Sequence, residues 1–214
     1  MPALAHLAFP RLRRLKARAE AFFAAGEGVA AVEFAMVLPV MVLMYLGMTE
    51  LTFAVNTDRK VTLLSRTLAD LTGRATGMTT SEMDAIFGAS MAVMAPYKGG
   101  NVKMVVSSIV VKDTGQVSNG KPVLKGTVCW SVAKGPGSPP GLAKGTVVTV
   151  PDGFQNADSS YIQADVSIDY TPVFGASVMQ WVTGASSLLL TEQTPWPVRN
   201  VKEVVWQGTT PCLG

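Results

Sequence analysis

One long block of apolar residues dominates the pattern near the N-terminus. Residues 29–48 contain a single charged side chain, Glu33. A helix of this length spans about 30 Å, the thickness of the hydrocarbon core of a bilayer. The block therefore predicts one transmembrane helix, with a buried core helix as the alternative. Pro39 removes one helix hydrogen bond and predicts a bend within the span.

The helical period continues beyond the apolar block. Residues 50–73 carry a stripe of apolar residues at helical spacing, which predicts a helix side that faces either a core or a partner. The stripe consists of Val61, Leu64, Leu68 and Leu71. Glycines at 73 and 77 predict its end. A second, shorter helix is expected from Ser81 to about Ala95, where Pro96 follows.

From residue 101 the pattern changes to that of β-strands. Strands are predicted over residues 102–112, 123–133, 145–150, 161–170, 186–192 and 201–206, with a turn at Asn119-Gly120. Strict alternation predicts that Val128, Trp130 and Val132 share one face and that Cys129 points to the other. A long helix followed by a short helix and an antiparallel sheet gives an α+β fold.

Charge is concentrated before the apolar block. Residues 1–28 carry five basic and two acidic side chains, whereas residues 29–214 carry equal numbers of each. The basic flank predicts a cytoplasmic N-terminus and places residues 50–214 across the membrane. A body without net charge argues against a nucleic-acid partner.

The sequence offers little that could support catalysis. The only histidine, His6, precedes the apolar block, and no zinc-ligand spacing is present. We therefore expect no enzyme activity, cofactor or metal. Cys129 and Cys212 are candidates for one disulfide in an oxidising compartment, with two unrelated buried thiols as the alternative.

The residues around Gly28 resemble the processing site of type IV prepilins. Gly28 precedes Val29. Glu33 is the fifth residue after Gly28, and Phe34 follows Glu33. More narrowly, residues 26–39 resemble the opening of the TadE-like pseudopilins of Tad/Flp tight-adherence pili. Residues 59–71 are also similar to that family, and a weaker similarity lies in Tyr170–Phe174.

The resemblance implies a pilin-like subunit that a prepilin peptidase cleaves between Gly28 and Val29. It also implies that Glu33, followed by Phe34, pairs with the N-terminal amine of a neighbouring subunit. The alternative is that Glu33 lies at the headgroup level and is solvated there. The expected organisation is a basic cytoplasmic leader (1–28), a transmembrane helix (29–48), its periplasmic extension (49–73) and a periplasmic α+β domain (74–214).

The implied function is that of a minor pseudopilin in the assembly or priming of a Tad/Flp pilus. Its expected partners are the bacterial inner membrane, the prepilin peptidase, other pseudopilins, the major pilin and the inner-membrane assembly platform. Association with the pilus itself is a further expectation. The alternatives are a permanently membrane-anchored periplasmic scaffold and a membrane-tethered enzyme, which the lack of a catalytic motif disfavours.

Overall fold

The computed structural model describes residue 20 and residues 27–97, 100–118 and 120–213. The chain divides into two compact units, Met1–Thr49 and Glu50–Gly214. In the first unit, residues 27–49 are helical and belong to α1, which runs from Glu27 to Gly73 and contains Pro39. The second unit therefore includes residues 50–73 of α1, nearly all of the predicted helical extension (49–73).

The remaining elements of the second unit are two short helices, a 3-10 turn and seven strands in the part of the chain that the structure describes. In chain order they are β1 (Gly77–Met78), α2 (Thr80–Met91) with a 3-10 turn (Ala92–Met94), β2 (Val102–Ser118), β3 (Lys121–Lys134), β4 (Val147–Val148), β5 (Ser159–Tyr170), α3 (Ala176–Thr183), β6 (Leu188–Pro197) and β7 (Val205–Trp206).

Two features mark the end of α1 and the beginning of α2. α1 stops at Gly73, where a Cβ atom would lie only 2.9 Å from the carbonyl oxygen of Pro197. α2 begins after Thr79, whose side chain accepts from the backbone N–H of Glu82 while the Glu82 side chain accepts from the Thr79 N–H. This capping box satisfies two helix N–H groups, and it starts the helix slightly before the predicted Ser81.

The long strands form an antiparallel five-stranded sheet in the order β4-β3-β2-β5-β6. The predicted α+β fold is confirmed. Two predicted strands are much shorter than expected, because only Val147–Val148 and Val205–Trp206 pair with neighbours. β7 pairs in parallel with β1 rather than joining the main sheet.

The principal core of the second unit lies between the helices and one face of the sheet. α1 contributes Val61, Leu64, Leu68 and Ala69 to it, and Thr57, Ser65 and Thr72 of the same helix are also buried. The predicted stripe is therefore a core-facing side, although Leu71 is only half-buried. Burying one leucine in this way stabilises the fold by about 1.5–3 kcal/mol.

A β-bulge in β3 overturns the predicted alternation around Cys129. Val128 pairs with Ile109 and Trp130 pairs with Ser108, so Cys129 has no partner residue in β2. The extra residue shifts the inward and outward positions. Cys129 and Trp130 consequently share the principal core, and Val128 lies in a second cluster with Ile109 and Tyr161.

Candidate membrane and assembly site

The N-terminal part of α1 is covered by exposed apolar side chains. Val29, Phe34 and Met36 are 58%, 61% and 74% exposed. The helix is long and apolar enough to cross a membrane, and none of its most apolar window is buried. An apolar surface on every side of a helix is typical of a membrane span, so this helix indicates single-pass membrane anchoring.

The four residues of the predicted processing and assembly site lie in the first turns of α1. Gly28 and Val29 lie in the first turn, and a Cβ atom on Gly28 would meet nothing within 4 Å. Glu33 is four residues after Val29, so the two residues lie on the same side of the helix. Glu33 and Phe34 are both exposed. A neighbouring chain can therefore reach this side of the helix.

Glu50 anchors a distant loop to α1. Its Oε1 accepts a hydrogen bond from the backbone N–H of Phe174, and its Oε2 accepts one from the Tyr170 hydroxyl at 3.1 Å. Burial, and then the hydrogen bond to Glu50, raises the pKa of Tyr170 to about 12. Sequence reasoning missed this contact, because nothing in the local pattern links residues so far apart in the chain.

The C-terminal end of α1 is held by a polar cluster around Asp70. Its carboxylate accepts from Trp196 Nε1 at 3.0 Å and pairs with Arg199 at 3.1 Å and with Arg74. Burial raises the pKa of Asp70, but the Arg74 and Trp196 hydrogen bonds and the two arginine charges outweigh it. The pKa of Asp70 is therefore below its ordinary value, and the ionised form is the one that the fold stabilises.

The structure brings the two predicted cysteines together. The sulfur atoms of Cys129 and Cys212 are in bonding contact, and their Cα atoms lie 6.1 Å apart. That Cα separation is ordinary for a disulfide. The β-bulge matters here, because it turns Cys129 into the core that Cys212 packs against.

Glu203 holds the backbone beside this cysteine pair. It is buried, and its Oε2 accepts from the backbone N–H groups of Cys212 and Leu213, each at 2.9 Å. Potential metal-ligating atoms of Cys129, Glu203 and Cys212 lie within 4.8 Å of one another. With the sulfurs bonded to each other neither is a thiolate, so the arrangement fits a disulfide beside a hydrogen-bonded carboxylate better than a metal site. We call Cys129, Glu203 and Cys212 the C-terminal clamp.

An exposed apolar helix followed in the chain by an α+β unit indicates a protein of the single-pass membrane-anchored class. Residues 28–70 match the model of the family described as TadE-like protein, which confirms the resemblance predicted from the residues around Gly28. The matched segment is nearly the whole of α1 and does not include the sheet. Neither the curated proteins nor the solved structures give a match to this chain.

The family match indicates a protein associated with a Tad pilus. The TadE-like family is structural rather than enzymatic. The match covers α1 alone and carries no information about the sheet unit.

Proposed function

We propose that the chain is a minor pseudopilin that acts in the assembly or priming of a Tad/Flp pilus. A prepilin peptidase would cleave it between Gly28 and Val29 at the inner membrane. The N-terminus of the precursor would face the cytoplasm and residues 50–214 the periplasm. The partners would be other pseudopilins, the major pilin and the inner-membrane assembly platform.

The observation that carries this proposal is the position of Glu33. It is exposed inside an otherwise apolar helix surface, one turn after Val29. An ionised carboxylate costs roughly 3 kcal/mol at the centre of a bilayer and less towards the ends of a span, where Glu33 lies, so a partner for it is favoured. Cleavage after Gly28 would create a new positive charge on the Val29 amine. Pairing Glu33 of one subunit with the Val29 amine of another would neutralise both charges and favour lateral docking.

The C-terminal clamp supports a periplasmic location for the sheet unit. Disulfides persist in oxidising compartments and are rare in the cytosol. We propose that Cys129 and Cys212 are bonded in the mature protein. Such a bond supports a location of the sheet unit on the side of the membrane opposite to the basic leader, which the charge distribution also favours.

The first test is the N-terminal sequence of the purified protein. Processing predicts a chain that begins at Val29, and an intact Met1 would contradict it. Fractionation then separates a pseudopilin from a permanent membrane scaffold. A pseudopilin co-purifies with sheared pili or is required for their appearance, whereas a scaffold stays in the membrane fraction and pili form without it.

The second test replaces Glu33 by alanine, glutamine or aspartate. We expect Glu33→Ala and Glu33→Gln to leave processing and membrane insertion intact but to abolish crosslinking to sister subunits, with partial recovery in Glu33→Asp. Met36→Ala is the matched control, because Met36 is exposed on the same helix and uncharged. If the Glu33→Ala chain crosslinks to sister subunits as well as the control does, the proposed role of Glu33 is wrong.

A further inference from the structure

A group of large apolar side chains is exposed at one end of the sheet unit. Trp181 is 88% exposed, Val173 69% and Phe174 58%. Leu188 and Leu189 at the start of β6 are exposed beside them in the chain. No charged side chain occurs in residues 170–191. We call Val173, Phe174, Trp181, Leu188 and Leu189 the apolar end patch.

The apolar end patch is fixed close to Glu50. The backbone N–H of Phe174 and the hydroxyl of Tyr170 both donate to the Glu50 carboxylate. Leu188 is the β6 partner of Tyr170, and Leu189 is the partner of Asp169. The end of β5, the start of β6 and the segment that connects them therefore lie at the end of the sheet unit that is bonded to Glu50, the residue at which the second unit begins.

Glu50 lies two residues beyond the apolar block of α1. A helix rises 1.5 Å per residue, so Glu50 is about 3 Å past the end of residues 29–48. The headgroup region on each side of a bilayer is roughly 5–8 Å deep. If residues 29–48 span the hydrocarbon core, Glu50 and the Phe174 backbone bonded to it lie at headgroup depth.

We infer that the apolar end patch docks onto the interfacial layer of the bilayer that α1 spans, with Trp181 and Phe174 entering the headgroup region. This inference rests on the proposed membrane anchor and goes beyond it, since it assigns a lipid-binding surface to the sheet unit. Tryptophan and other aromatic side chains favour this layer, where an apolar ring and a polar edge are both accommodated.

The bilayer is the occupant that the observations favour over a second protein. The tether to Glu50 brings the patch to the membrane without any partner. Residues 170–191 carry no charge, and the nearest charged strand residue, Asp169, is paired with Lys103 at 2.8 Å. This fits an apolar contact with lipid and predicts little dependence on salt or on anionic lipid.

The experiment uses the full chain reconstituted at low density in phosphatidylcholine vesicles, with and without bromine on the acyl chains near the headgroup. Bromine quenches tryptophan fluorescence at short range. Comparison of the wild type with Trp181→Phe isolates the emission of Trp181. The matched control is Val117→Trp in the Trp181→Phe background. Val117 is 71% exposed near the far end of β2, about 50 Å of strand beyond the Val102 end that pairs beside Tyr170.

We expect brominated lipid to quench most of the Trp181 emission and to leave a tryptophan at position 117 unaffected. Equal and weak quenching at both positions, with the protein floating on the vesicles, would overturn the docking while leaving the anchor in place. Shielding of Trp181 from aqueous iodide without quenching by brominated lipid would assign the patch to a protein partner instead. A chain that does not float with the vesicles would overturn both the anchor and the docking.

Discussion

The indole nitrogen of Trp196 donates a 3.0 Å hydrogen bond to Asp70 Oδ1 and so joins the end of α1 to β6. The same carboxylate pairs with Arg199, whose guanidinium carbon lies 5.7 Å from the centre of the Trp196 ring. Asp70, Trp196 and Arg199 therefore hold the C-terminal end of α1 against the sheet. The carboxylate is common to all of these polar contacts.

Replacing Asp70 by asparagine removes the charge and retains an acceptor for Trp196. Because the pKa of Asp70 is lowered in the folded protein, its stabilising effect is present at neutral pH and is lost as the pH falls through that value. We expect Asp70→Asn to lower the free energy of unfolding by about 1–2 kcal/mol at pH 7. Chemical denaturation in detergent at pH 7 and pH 3 measures this difference, which should shrink at the lower pH. A pH-independent loss would contradict the role of the charge.

Asp165 predicts the opposite dependence on pH. Burial raises its pKa, and the hydrogen bonds from Gln163 Nε2 at 3.1 and 3.2 Å only partly compensate. The folded protein therefore holds this proton more tightly than the unfolded chain. Stability is lost as the pH rises from the ordinary carboxyl value through the raised one. We expect Asp165→Asn to be more stable than the wild type at pH 7 and similar to it near pH 3, as measured by thermal unfolding. Equal stability at both values would contradict the assignment.

The C-terminal clamp predicts sensitivity to reducing agents. The two cysteines are separated by 83 residues in the chain, so the bond closes a long loop. Replacing both cysteines by alanine should lower the free energy of unfolding by about 2–5 kcal/mol. Dithiothreitol should destabilise the wild type to a similar extent and leave the double variant unchanged. Free-thiol labelling of the unreduced, unfolded protein provides the direct check, because two reactive thiols would exclude the bond.

The boundary of the folded unit can be tested with two fragments. Residues 57–72 of α1 contribute buried side chains to the principal core, including Leu64 and Leu68 at 0% exposure. A fragment of residues 50–214 should therefore fold cooperatively, whereas residues 74–214 should expose the core face of the sheet and aggregate or bind hydrophobic dyes. Circular dichroism and thermal unfolding of the two fragments separate these outcomes. A cooperative transition in the shorter fragment would show that α1 is dispensable for folding.

The sequence allowed prediction of features that depend on neighbouring residues. The apolar block, the stripe on α1 and the residues around Gly28 are local patterns, and the fold class followed from their order. The contacts of Glu50 with Tyr170 and of Asp70 with Trp196 join residues more than a hundred positions apart. No periodicity in one chain specifies such a pair, because it depends on how the strands are arranged.

The bulge at Cys129 shows a different limit on what alternation in the sequence can predict. Residues 123–133 alternate regularly enough to predict one continuous strand, yet the paired register loses one position between Val128 and Trp130. A single unpaired residue exchanges the two faces of the strand beyond it. Alternation therefore predicted the existence of β3 but gave the wrong face for Cys129.

The outer strands of the five-stranded sheet limit how copies of this protein can meet. Pro195 and Pro197 lie on β6, and prolines in sheets occur on edge strands with the nitrogen turned outward, where they remove donors that another strand would need. At the opposite edge, β3 is covered by the segment that includes β4, since Val128 exchanges backbone hydrogen bonds with Gly145 and Thr146. Strand addition is therefore hindered at the Pro195–Pro197 end of β6 and along the part of β3 that β4 covers. Polymer growth by β-augmentation is disfavoured at these two places, so subunits of the proposed pilus would associate more readily through helices or sheet faces.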